Sequence, residues 1–356
     1  MSRQRSGPIK AAVALCSVAL LGACASAPPV DSVRGALIVV GSGTQEGEVG
    51  LWRNAWVEGN NNGVSVNFSP DGEDVGITAL QTGNTHVATA DTPLTESASA
   101  AAVGACGPGG AFSVPTSIAP VGVVYNLSGL RGLKLDASAL AKIFNGTISS
   151  WDDPYLRALN PTLEMPVQEI RPVTSADESA ITLAGTSYLA QNAAEMWSAD
   201  ASQTWPEETA GQQVEHDRDV AKEVDDQFGA IAFLNVNAIG NRFSTAALEF
   251  SDGFSLPTTE NIDKAIAASQ VWTADYGVAV NLASEQGAGY QLASVRYQSF
   301  CFQYPNEPIA KLVESWAAYV ISEPGQAKAW IALDSYSPSR AALDAAQELV
   351  ASIDHR

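Results

Sequence analysis

Ile118-Ala119-Pro120-Val121-Gly122-Val123-Val124-Tyr125-Asn126 is the longest strand candidate in the chain, and the residues after it decide the fold class. The run is apolar and β-branched, so it reads as a buried strand. Further on comes Leu140-Ala141-Lys142-Ile143-Phe144-Asn145-Gly146-Thr147-Ile148-Ser149-Ser150-Trp151-Asp152-Asp153, and then Leu159-Asn160-Pro161. Leu140, Ile143 and Phe144 share one face of a helix, which Gly146 closes. A buried strand followed by an amphipathic helix is the unit of an α/β fold.

The same unit recurs on either side. Ala36–Val40 is a buried strand by length and β-branching, and it runs into Gly41-Ser42-Gly43-Thr44-Gln45. Val49, Trp52 and Trp56 then share a helix face that Gly59 ends. Val64–Phe68 alternates like a strand and leads into Pro70-Asp71-Gly72-Glu73-Asp74. His86–Ala90 is a third strand, ending in the helix-start signal Asp91-Thr92-Pro93. Arg171-Pro172-Val173 leads into Thr174–Ser179, with a helix behind it that carries Ile181 and Leu189. Gly229–Leu234 is another buried strand. Two strong helical stripes follow, Ile309/Leu312/Val313/Trp316/Val320 and Leu343/Ala346/Val350/Ile353. Residues 192–228 are polar and acidic and read as a solvated excursion.

Four of these strand-to-helix loops, at 41–46, 69–76, 90–93 and 174–180, are rich in Gly, Ser, Thr and Asp. A helix start offers free N–H groups and a partial positive charge. Several such starts facing one cleft bind an anion without net positive charge on the protein. Taken singly, each is also a plain helix cap.

The formal charge is −20 over 356 residues, and the three histidines, His86, His216 and His355, stand far apart. So acidic a chain is a poor nucleic-acid binder, since phosphate backbones are held by clustered Lys and Arg. No CxxC or HExxH spacing suggests a metal site, and no cofactor is expected. Gly41-Ser42-Gly43 lacks the third glycine of a dinucleotide fingerprint, because Glu46 stands in its place. No P-loop or G-x-S-x-G elbow is present either. An enzyme is not expected.

The start of the chain reads as an export signal. Arg3, Arg5 and Lys10 precede an apolar run from Ala11 to Leu21, which meets Leu21-Gly22-Ala23-Cys24. The run is too short to span a bilayer. Small residues before a cysteine mark a lipoprotein cleavage point, giving a signal peptide over 1–23, lipidation at Cys24 and a tether over 24–32. The alternative is an ordinary secreted protein. Cleavage takes the formal charge from −20 to −23. It leaves Cys106 and Cys301 as an even pair in an oxidising compartment, so a disulfide is expected, with two free buried thiols as the alternative.

In their order these loops resemble the phosphate-binding proteins of bacterial phosphate ABC transporters, a type II periplasmic binding protein family. The resemblance is carried by Val121–Asn126, by Leu140–Asp153 with Leu159-Asn160-Pro161, and by Gly229-Ala230-Ile231-Ala232-Phe233. It implies two α/β lobes joined by two hinge strands, with lobe one at 33–115 plus 265–356 and lobe two at 116–264. It implies phosphate as ligand and an ABC permease as partner; with the lipobox-like start, the expectation is a lipid-anchored monomer at the outer face of the cell membrane.

Carried over position by position, the ligand residues are Thr44 in the first loop, Asp91 in Ala90-Asp91-Thr92-Pro93-Leu94, and Asp177 and Ser179 in the second-lobe loop. The family aspartate matching Asp91 accepts the phosphate's proton. Four positions depart from the pattern. Ser175 stands where the family has arginine, Ala180 where it has glycine, Ile181 where it has threonine, and Glu73 replaces a hydroxyl donor. A carboxylate within ~4 Å of a bound anion costs up to ~4 kcal/mol at an effective dielectric near 20. A degenerate site serving sensing or protein interaction is therefore the rival reading.

Overall fold

The computed structural model describes residues 33–240, 242–283 and 288–356. The expected signal peptide over 1–23, the expected tether over 24–32 and the expected lipidation site Cys24 lie outside the described residues. Among those residues no helix is long and apolar enough to cross a membrane.

The strand that decides the fold is longer than the sequence pattern suggests. It runs over Ala111–Tyr125, and all fifteen of its residues are buried. Its first part pairs antiparallel with Ala293–Cys301, from Ala111 opposite Cys301 to Pro120 opposite Ala293. Its last part, Val121–Tyr125, pairs antiparallel with Ala230–Asn235. One strand thus joins two groups of parallel strands. On one side lie Val64–Ser69, Gly35–Gly41 and Val87–Ala90, the last beside Ala293–Cys301. On the other, Ala230–Asn235 leads to Arg171–Ser175 and Gln212–Val214. Parallel strands covered on both faces need near-continuous apolar runs, which is how these segments read.

Separate cores form around the two groups. Leu37, Val39, Trp52, Trp56, Phe112 and Trp316 belong to one. Val121, Val123, Tyr125, Phe144, Trp151 and Phe233 belong to another, joined by Val278, Val280, Tyr290 and Leu292. Val124, Ala232 and Leu234 point the opposite way, into a third cluster with Val220 and Val224. The period of two along a strand explains the split.

Helices form where the sequence places them, at Glu46–Gly59, Ala137–Phe144, Ala180–Asn192, Glu307–Val320 and Arg340–Val350. Two expectations differ from the structure. Asp91-Thr92-Pro93 does not start a helix; the next one is Glu96–Ala101, capped by Thr95. Nor is 192–228 merely solvated. Trp197 and Trp205 are buried, and Trp205 stacks on Phe144 at 5.1 Å. The acidic helix Asp217–Asp226 turns Val220 and Val224 inward. Isolated apolar residues in a polar stretch carry too little periodicity to reveal this.

Cys106 and Cys301 form a disulfide across 195 positions, with Cα atoms 4.6 Å apart. The bridge ties the end of the Ala293–Cys301 strand to the short helix Val103–Cys106. Closing so long a loop stabilises the fold by at most about 5 kcal/mol in the chain-entropy model. Replacing both cysteines with alanine should lower the unfolding free energy toward that amount in denaturant titrations. An unchanged midpoint would show that the crosslink does not constrain the unfolded chain.

Candidate functional site

The first loop is shaped by close backbone approach. Gly41 has φ +148°, and a Cβ there would lie 2.1 Å from the Thr89 carbonyl oxygen. A Cβ at Gly76 would meet the Val40 carbonyl oxygen at 2.5 Å. The glycines let the helix Glu73–Gln81 and the Gly41-Ser42-Gly43-Thr44 loop sit against one another, with Gly72 N–H donating to the Gly41 carbonyl at 3.0 Å. Gln45, fully buried, anchors the loop. Its amide donates to the carbonyls of Ala90 and Tyr297, each at 2.9 Å.

Around this loop the protein builds a cradle of hydroxyls and carboxylates. Ser42 Oγ and Thr44 Oγ1 each donate to the Asp91 carboxylate at 2.6 Å. The Asp91 carboxyl is raised to about 6, chiefly by burial, with the Ser42 and Thr44 hydroxyls pulling it down and Glu73 and Asp217 pushing it up. Glu73, the first residue of its helix, is not free. Its carboxylate accepts from the Asp91 N–H at 2.8 Å, from the Thr92 hydroxyl, and from the Gln203 amide at 3.0 Å.

The opposite wall comes from the second strand group. Ser179 caps the helix Ala180–Asn192, accepting from Thr182 N–H at 3.1 Å. Asp177 accepts from Asp217 N–H at 3.0 Å and lies 3.1 Å from His216 Nδ1. Burial raises the Asp217 carboxyl, against the pull of hydrogen bonds from Ser179 and Ser175. Between the walls lies an open cleft of about 550 Å³, lined by Thr44, Glu73, Asp91, Asp177, Gln203 and Arg218 among others.

A family model for the PBP superfamily domain matches residues 26–324. The chain belongs to the PBP superfamily. Its α/β architecture is the two-lobed type II arrangement read from the sequence. Among curated relatives, phosphate-binding protein PstS2 of Mycobacterium bovis is 27% identical over 273 residues, covering 74% of this chain and 73% of that protein. Phosphate-binding protein PstS 3 of Mycobacterium leprae is 25% identical over 262 residues, covering 71% and 70%. Among solved structures, a high-affinity periplasmic phosphate-binding protein bound with phosphate superimposes with a TM-score of 0.68 at 15% identity, covering 88% of this chain and 93% of that one. An ABC-type phosphate transport receptor from Vibrio cholerae gives 0.58 at 15%, covering 85% and 100%.

Within this PBP cleft the sequence-derived positions divide. Thr44, Asp91, Asp177 and Glu73 line it together. Ser179 and Ser175 are buried behind its wall, Ser179 bonded to Thr182 and Ser175 to the Asp177 N–H. Ala180 lines a neighbouring cavity, and Ile181 packs on the second core. Arg171, the one arginine near the loop in sequence, is exposed and pairs with Glu169. Gln203, Asp217 and Arg218 were not found from sequence. They come from the acidic stretch, and no local motif marks them.

The Asp91 carboxyl yields a pH test. It holds its proton to about pH 6 when folded, against an ordinary value of 3.8. Between those values the folded state binds more protons, so this group's contribution to stability falls as pH rises. Asp91→Asn removes the ionisable group. Its stability relative to the wild type should rise from pH 4 to pH 7 by on the order of 3 kcal/mol. Thermal unfolding across that range checks this, and a pH-independent difference would contradict it.

Proposed function

We propose that this protein is an exported solute-binding protein that captures a small oxyanion, inorganic phosphate first, for an ABC importer. The proposed lobes, 33–115 with 265–356 and 116–264, would close on the cleft just described. Lipidation at Cys24 would hold the chain at the outer face of the membrane as a monomer.

The observation that carries the reading is the Ser42–Thr44–Asp91 cradle in a cleft whose relatives are named as phosphate-binding proteins. At neutral pH phosphate still bears a hydroxyl. A mainly ionised Asp91 is a fit acceptor for it, whereas sulfate has no proton to offer. The helices Glu46–Gly59, Glu73–Gln81 and Ala180–Asn192 start beside the cleft and favour negative charge there.

A second reading rests on Glu73. Its carboxylate already takes the Asp91 N–H, the Thr92 hydroxyl and the Gln203 amide. These donors suit an oxyanion, so Glu73 acts as a tethered anion that competes with the ligand. If that competition always wins, the protein is a sensor or interaction partner that kept the fold.

Calorimetric titration with phosphate separates the two. Wild type should bind weakly, and Glu73→Ser should bind at least about tenfold more tightly, because a like charge and its competition are removed. Submicromolar binding by the wild type would refute competition by Glu73. No gain in Glu73→Ser, with no binding by either protein, would refute anion capture and leave the interaction reading.

A further inference from the structure

We infer that Arg218 supplies the cationic contact to the bound oxyanion; this rests on the anion-capture reading above. The loop that resembles an arginine-bearing motif has Ser175 in that place. Ser175 is 3% exposed, and its hydroxyl oxygen accepts the Asp177 N–H at 3.0 Å. No cation can reach the ligand from there. Arg171 points elsewhere, onto Glu169 at 3.3 Å.

The neighbouring segment brings one in. Gln212–Val214 pairs parallel with Arg171–Ser175, Ser175 standing opposite Val214. Ala176 N–H donates to the Val214 carbonyl at 2.9 Å. Asp177 then accepts the Asp217 N–H and contacts His216. These bonds fix the first turn of the helix Asp217–Asp226 at the edge of the cleft, and Arg218 follows directly.

Arg218 is exposed and makes no hydrogen bond or ion pair with the described residues. It is the only lysine or arginine among the described residues lining this cleft. A cation in the first turn opposes the helix dipole, so helix stability does not account for it. The other charges lining the cleft are mostly carboxylates, Glu73, Asp91, Asp177 and Asp217 among them, and all repel an anion. A guanidinium offers paired N–H donors that match two oxygens of a tetrahedral oxyanion.

The test is calorimetric titration with inorganic phosphate near neutral pH, at fixed ionic strength, on Arg218→Gln, Arg218→Lys and the control Arg171→Gln. Each is made in the wild type and in Glu73→Ser, where the competing carboxylate is gone. Arg218→Gln should weaken binding about tenfold or more, Arg218→Lys less, and Arg171→Gln not at all. All should melt with their parents. If a parent binds and its Arg218→Gln variant binds equally, the inference fails while anion capture stands. A lowered melting temperature in both Arg218 variants would assign the residue a structural role and overturn the inference. If neither parent binds phosphate, anion capture itself fails and the inference with it.

Discussion

The fold depends on the pairing of Ala111–Tyr125 with strands on both sides of the molecule. Ala293–Cys301 lies along its first part and Ala230–Asn235 along its last. Such a strand has no solvent face, so every side chain on it must be apolar, small or hydrogen-bonded. Of its polar members, Ser113 accepts from Leu94 N–H at 2.9 Å and Thr116 donates to the Arg296 carbonyl, while Ser117 is tolerated by its small size, its hydroxyl buried without a partner. The two parallel groups that hang from it present the ends of their strands to one cleft. Gln45 and the Cys106–Cys301 disulfide fasten the first loop and the far end of Ala293–Cys301 to the same frame.

From that frame follows a cleft whose donors are largely satisfied by the protein's own carboxylates. Asp91 takes the hydroxyls of Ser42 and Thr44, Glu73 takes a backbone N–H, a hydroxyl and an amide, and Asp177 takes the Asp217 N–H. A buried carboxylate is tolerated only when such bonds offset its desolvation. The same bonds would have to be exchanged for bonds to the proposed anion, so affinity would be a difference between two similar terms. The Glu73–Gln203 bond also joins residues of the two proposed lobes and favours closure without a ligand. Anion entry would then compete with a contact that already closes the cleft.

Much of the fold is legible in the sequence because buried parallel strands leave continuous apolar runs and helices leave striped ones. Ala36–Val40, Val64–Phe68, Gly229–Leu234 and the Trp316 stripe all announce themselves this way. The short motif at 90–94 does not, because Asp and Thr before Pro suit a turn as well as a helix start, and here Asp91 and Thr92 are spent on Glu73 and on the first loop. Thr44, Asp91, Asp177 and Glu73 were legible as residues of one cleft through the order of loops. The other half of the site was not. Gln203 meets Glu73 across 130 positions, and Arg218 reaches the cleft only because Val214 pairs with Ser175. A polar, acidic stretch gives no periodic sign of which side chains turn inward.

The central claim is that Glu73 stands where an oxyanion would bind. It is tested most directly by a crystal structure of the wild-type protein grown in concentrated phosphate. Phosphate oxygens are expected on the Asp91 N–H and the Thr92 hydroxyl, with the Glu73 carboxylate displaced from both. Phosphate bound elsewhere in the cleft, with Glu73 still holding those donors, would contradict it.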